Sequence, residues 1–135
     1  METVYQSKYL TLLVETDKQL IKVLWSATTA NMTDKEFRAE LIKYAEVAEQ
    51  YRPQKSLVDT QNFLMIIVPE TQAWVNANIH QRSLKAGIKK FAYLVSKDLF
   101  SQVSIEQTME EGNAKDIFDT QYFENENQAL EWLNA

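Results

Sequence analysis

Few residues of this 135-residue chain have the chemistry for a reaction. It holds one histidine, His80, and no cysteine, which excludes disulfides, thiolate nucleophiles, thiolate metal sites and iron-sulfur clusters. A lone histidine without a carboxylate pattern beside it is a poor metal ligand set. No GxSxG elbow or defensible Ser-His-Asp order accompanies it, so His80 reads as a structural or surface residue. Asp59 and Asp98 fall near the carboxyl ends of expected strands, where open α/β sheets bind ligands. Aspartates before a loop and at a helix start are, however, also what turns and caps select. Glu110 and Glu111 read as a solvated helix end. With two glycines the chain has no glycine-rich loop to cradle a phosphate. The expectation is a non-enzyme with no catalytic residue, no metal and no cofactor.

The three tryptophans, Trp25, Trp74 and Trp132, stand at a strand end, in a first helical turn and in the last helix. Such residues close the edge of a core with the indole N–H near water; stacking on a ligand is the alternative. Fourteen basic against nineteen acidic residues leave a formal charge of -5, which works against a nucleic-acid partner because counterion release needs clustered cations. The densest basic spot, Arg82, Lys85, Lys89 and Lys90, reads as a solvated edge.

A composition of 45% apolar, 24% charged and 11% aromatic residues is that of a packed globular chain, and its length suits one domain over 1–135 with no metal or disulfide staple. The amino terminus lacks a basic region followed by a long apolar core, and no stretch approaches the ~20 apolar residues of a membrane span. A cytoplasmic location is expected.

The elements that must position these residues follow from periodicity and punctuation. Residues 9–16 and 19–25 are rich in β-branched and large apolar side chains and read as an antiparallel hairpin turning at Asp17 and Lys18. Thr33 and Glu36 have capping-box spacing, and Phe37, Leu41, Tyr44, Ala45 and Ala48 lay one apolar stripe along the helix that follows, up to Arg52-Pro53. Residues 55–59 form a short strand. Pro69 opens a second helix with Glu70 in its first turn; Ala73, Ala77 and Leu84 are its expected inner face, and Gly87 its end. Residues 88–96 read as the central strand, apolar from Phe91 to Val95 as if covered on both faces. Residues 98–111 form a third helix with Leu99, Val103 and Met109 loosely periodic and a possible restart at Ser104 to Gln107. Residues 116–123 form a last strand and 125–134 a closing helix with Ala129, Leu130 and Leu133 inward. The expected fold is α/β, in the order β-β-α-β-α-β-α-β-α, with a mixed, mostly parallel sheet, an antiparallel edge and flanking helices.

Between the third strand and second helix stand six apolar residues, Phe63, Leu64, Met65, Ile66, Ile67 and Val68, directly before Pro69. In a loop they could bury roughly several hundred Å² against a partner.

Four phrases, "VLWSATTANMTDKEFRAEL", "PETQAWV", "AGIKKFAYLV" and "YFENENQALEWL", come in an order and spacing that resemble the SpoIIAA-like domains of the STAS fold, also described as STAS/SEC14-like. The resemblance covers nearly the whole chain. It implies a four- or five-stranded sheet flanked by helices, often a homodimer, and usually no known activity. In the anti-sigma-factor antagonists of that fold, a serine at the start of the helix after the third main strand is phosphorylated to switch partner binding. Here Val68, Pro69, Glu70 and Thr71 occupy that helix start; the serine and its following glycine are absent. Glu70 and Thr71 are the residual switch position. Glu70 holds a fixed negative charge, and Thr71 is either a phosphate acceptor near the helix dipole or a hydroxyl that satisfies the backbone or faces water.

The functional expectation is a non-enzymatic regulatory or scaffolding domain acting through protein contact, as a homodimer or with another protein, with Phe63, Leu64, Met65, Ile66 and Ile67 as contact residues. The alternative is a carrier of a small apolar or lipid-like ligand, with the same run folded over an aromatic pocket.

Overall fold

A computed structural model describes the backbone of residues 1–135 and the side chains of all but residues 113 and 115. The fold is α/β. Six strands form one mixed sheet, β1 (Glu2–Gln6), β2 (Leu10–Glu15), β3 (Leu20–Trp25), β4 (Lys55–Asp59), β5 (Lys90–Leu94) and β6 (Asp119–Phe123), whose spatial order follows the chain. β1, β2 and β3 pair antiparallel, and β3 through β6 pair parallel. Each parallel step moves one strand in the same direction, so right-handed crossovers put their helices on one face.

That face carries α1 (Asp34–Tyr51), α2 (Pro69–Val75), α3 (Gln81–Ala86) and α4 (Leu99–Glu110), packed on Val23, Val58 and Phe91. α5 (Ala114–Ile117) leads into β6, and α6 (Glu126–Leu133) covers the opposite face, where Ala129 and Leu133 meet Leu20, Leu57, Ala92 and Leu94. The period-two alternation of β3 is what serves both layers: Ile21, Val23 and Trp25 belong to the large core and Leu20 to the small one.

Several expected local features are present. Thr33 caps α1 in a full capping box, its oxygen accepting from the Glu36 amide at 3.1 Å while Glu36 Oε1 accepts from the Thr33 amide at 3.0 Å. The helix ends with Arg52 in a left-handed conformation before Pro53. Gly87, at φ 110, closes α3 in a conformation that only glycine adopts without strain. Asp98 caps α4 and accepts from the Ser101 amide at 2.8 Å.

Other expectations are corrected. The order has six strands where five were expected, because the polar segment 2–6 adds an antiparallel edge, bulged between Thr3 and Tyr5. An edge strand with exposed side chains carries little hydrophobic signal. β5 is not central: β3 and β4 are the middle pair, and β5 is doubly covered because α6 lies across it. The last strand begins at Asp119; residues 114–117 are helical. α4 runs unbroken from Leu99 to Glu110, without a restart.

The inner faces of two helices also differ from expectation. Ala73, Ala77 and Leu84 point outward, and the buried residues from 69 to 86 are Thr71, Gln72, Val75, Ile79, His80, Ser83 and Ala86. A π-helical turn, Asn76–His80, joins α2 to α3. Its extra residue rotates everything after it by about 100°, which brings His80 inward; in an uninterrupted α-helix it would point away from the Thr71-Val75 face. In α4, Leu99 and Val103 are exposed, and Ser101, Ser104, Ile105, Thr108 and Met109 are buried.

Candidate functional site

The apolar run lies at the carboxyl-terminal end of the parallel strands, in the connection from β4 to α2. Asp59 starts it as a turn residue, its Oδ1 accepting from the Gln61 amide at 3.1 Å, and Thr60 donates its hydroxyl to the Leu94 carbonyl. Asp59 and Asp98 are thus both engaged in holding backbone.

From Phe63 to Val68 the chain is neither helix nor strand and pairs with no strand. Side chains satisfy its backbone instead. The Leu64 amide donates to Thr29 Oγ1 at 3.0 Å, the Phe63 carbonyl accepts from Ser96 Oγ at 2.8 Å, and the Ile67 amide donates to Ser104 Oγ at 3.0 Å. The Ile67 carbonyl accepts from Gln72 Nε2 at 2.8 Å. These bonds explain why Thr29, Gln72 and Ser104 are buried: a helix that faces a loop must supply the partners a neighbouring strand would otherwise supply.

Burial alternates along the run, which therefore divides. Phe63 and Ile67 point into the core, and Phe63 is only 2% exposed. It sits edge-on to Trp25 at 5.3 Å and 5.9 Å from Phe37 between ring centroids. Met65 is half-buried against the same core. Leu64, Val68 and Ile66, the last 56% exposed, point out. Phe63 and Ile67 therefore do not belong to an outer contact surface.

The outward residues run alongside the first turns of α4, where Leu99 and Phe100 are 70% and 68% exposed and Val103 is exposed as well. The Lys97 amide bonds the Gln61 carbonyl at 3.2 Å, which with the bonds from Ser96 and Ser104 holds loop and helix side by side. Leu64, Ile66, Val68, Leu99, Phe100 and Val103 make up an apolar outer face. The last three were missed as surface residues because their hydrophobicity reads as core; the signal for orientation is the small hydroxyls Ser101, Ser104 and Thr108 at helical spacing.

Behind the inward residues, between sheet and helices, is a cavity of about 80 Å³ lined by Trp25, Phe63, Ile67, Phe91 and His80, among others. Burial pushes the His80 imidazole down to about 4, so it is neutral at physiological pH. Phe118 packs edge-on against it at 5.9 Å, and its Nδ1 has no hydrogen-bond partner. Tyr44, also on the cavity wall, is pushed up to about 12 by burial, with Ser83 donating to its oxygen at 3.4 Å.

Glu70 is exposed in the first turn of α2. Thr71 is fully buried and neither satisfies a backbone group nor faces water. Its hydroxyl donates to Asp34 Oδ1 and accepts from Arg38 Nη2 at 3.2 Å. Arg38 also pairs with Asp34 at 2.8 Å and lies over the Trp74 ring at 5.1 Å. Thr71 thus joins the starts of α1 and α2. Trp132 packs on Phe123 and under Lys90, and Arg82 is held in two bonds by Glu49.

Among the described residues no group of three or more His, Cys, Asp or Glu side chains could hold a metal, and no helix is long and apolar enough to cross a membrane. Fold and site define an α/β domain with an apolar outer face at one end of its sheet and an aromatic cavity behind it. Comparison with protein-family models, curated proteins and solved structures finds no match to this chain.

Proposed function

We propose that the chain is a non-enzymatic regulatory or scaffolding domain of SpoIIAA-like kind that acts through protein contact, with a second copy of itself as partner. The supporting observation is the apolar outer face formed by Leu64, Ile66 and Val68 beside Leu99, Phe100 and Val103. Soluble monomers rarely leave such patches larger than roughly a few hundred Å² uncovered. A face without charge is compatible with itself, and a two-fold axis sets each copy of it against the other. Of the acidic and basic groups nearby, Asp59 is engaged in a turn, Asp98 in a cap, and Asp34 and Arg38 with Thr71; Glu70 and Lys97 are exposed at the border of the face. A phosphoserine switch is absent from this reading, because the hydroxyl at the corresponding helix start is internal. A cytoplasmic location belongs to the same proposal.

Sedimentation velocity tests it. The wild-type chain is expected to be a dimer at micromolar concentration, and L64D/I66D and F100D are expected to be monomers with unchanged circular dichroism. A monomeric wild type, or a dimer that persists in both variants, overturns the reading.

A further inference from the structure

The apolar outer face has a direction. Its two rows lie side by side and advance the same way: the Lys97 amide donates to the Gln61 carbonyl at 3.2 Å, Ser96 Oγ to the Phe63 carbonyl at 2.8 Å, and the Ile67 amide to Ser104 Oγ at 3.0 Å. Further along, Gln72 Nε2 donates to Gln107 Oε1 at 3.0 Å. Between Asp98 and Ser104 the helix rises roughly 9 Å. Leu64, Ile66 and Val68 on the loop and Leu99, Phe100 and Val103 on α4 therefore form an apolar strip with two distinct ends.

The ends carry opposite charge. Lys97 is exposed where the strip begins, and Glu70 is exposed two residues past Val68, where it stops. Glu106, exposed one turn after Val103, adds a second negative charge beyond that end. Asp59 and Asp98, at the Lys97 end, hold the Gln61 and Ser101 amides. Among the described residues the ion pairs are Lys22 with Glu126, Arg38 with Asp34 and Arg82 with Glu49, so neither Lys97 nor Glu70 is paired within its own chain.

A face that meets its own copy does so about a two-fold axis lying in the plane of contact. With the axis along the strip, Lys97 faces Lys97 and Glu70 faces Glu70, and such like-charge juxtapositions oppose association. With the axis across the strip, near Ile66, the strips run antiparallel and each Lys97 meets the partner's Glu70. We infer that the chain self-associates in this second arrangement, with two Lys97–Glu70 ion pairs at the rim fixing the axis and the register. Ion pairs at an exposed rim contribute little affinity each, so the apolar strip supplies the attraction and the charges choose the orientation. This arrangement rests on the contact reading and adds to it the residues that determine specificity.

Sedimentation equilibrium of the full chain tests it with E70K, K97E and E70K/K97E, all at exposed positions. Each single reversal sets like charges together twice in the dimer and is expected to weaken self-association roughly tenfold. The double reversal, and an equimolar mixture of the two single variants, restore both opposite pairs and are expected to dimerise within about threefold of wild type. The mixture separates pairing between copies from pairing within one chain. Raising sodium chloride from about 0.05 to 0.5 M is expected to weaken the wild-type dimer and to strengthen the single variants, because screening removes attraction in one and repulsion in the others. Single variants as tight as wild type, a mixture no tighter than its components, or the same salt response in wild type and single variants overturns the inference. If it fails while L64D/I66D still separates the dimer, the contact reading stands without this axis; a monomeric wild type removes both.

Discussion

The division of the apolar run into inward and outward residues predicts that neighbours of similar hydrophobicity differ sharply in their contribution to stability. Phe63→Ala removes a ring that is 2% exposed and lies 5.3 Å from Trp25 and 5.9 Å from Phe37. The lost transfer free energy is about 2 kcal/mol. The new void joins an existing cavity and adds about 24 cal/mol for each Å³ that does not collapse, for a total of about 4 kcal/mol. Ile66→Ala trims a side chain already 56% exposed, so its effect on the isolated fold stays under about 0.5 kcal/mol. For a chain of this size about 3 °C of Tm accompanies each kcal/mol. The expected losses are thus roughly 12 °C and less than 2 °C.

Urea denaturation followed by tryptophan fluorescence, at protein concentrations low enough to separate any dimer, measures both variants on one scale. The slope of the transition should be unchanged in each, so that a shifted midpoint reports stability alone. An Ile66→Ala cost equal to that of Phe63→Ala, or a Phe63→Ala cost below about 1 kcal/mol, refutes the alternation on which the contact proposal depends.

Stability should also depend on pH through His80. Burial holds its imidazole at about 4, against an ordinary value of 6.5 in the unfolded chain. The unfolded chain binds the extra proton between those values, so stability is complete above about 6.5 and falls as the pH drops toward 4, by about 3 kcal/mol in all. H80L should flatten that part of a pH series of urea midpoints; an unchanged slope would place the imidazole in water. At Thr71, substitution by valine removes the hydroxyl between Asp34 and Arg38 and should cost about 1 kcal/mol. Thr71→Asp should cost more, because it sets a carboxylate against Asp34 in a site with no exposure. A Thr71→Asp chain as stable as wild type in the same assay would show that α2 can open to accept a phosphate-like group.

The sequence by itself determined the α/β class, the hairpin followed by parallel crossovers, the α1 capping box and the end of α3 at Gly87. These features come from neighbours in the chain: a threonine reaches an amide three residues on, and a glycine takes a left-handed conformation, whatever the rest of the molecule does. The stripe of α1 was legible because that helix packs on a sheet and on another helix with apolar side chains. Only the tertiary structure decided which faces of α2, α3 and α4 turn inward. Gln72 and Ser104 are buried because the unpaired backbone of residues 63–68 needs donors and acceptors there, so polarity marks the inside and Leu99, Phe100 and Val103 are left outside. The π-helical turn then rotates His80 by about 100°, away from where a regular helix running on from Thr71 and Val75 would place it. The run of six apolar residues looked uniform as a sequence. Its position between a core and a surface gave Phe63 and Ile67 to the interior and Leu64, Ile66 and Val68 to an outer face.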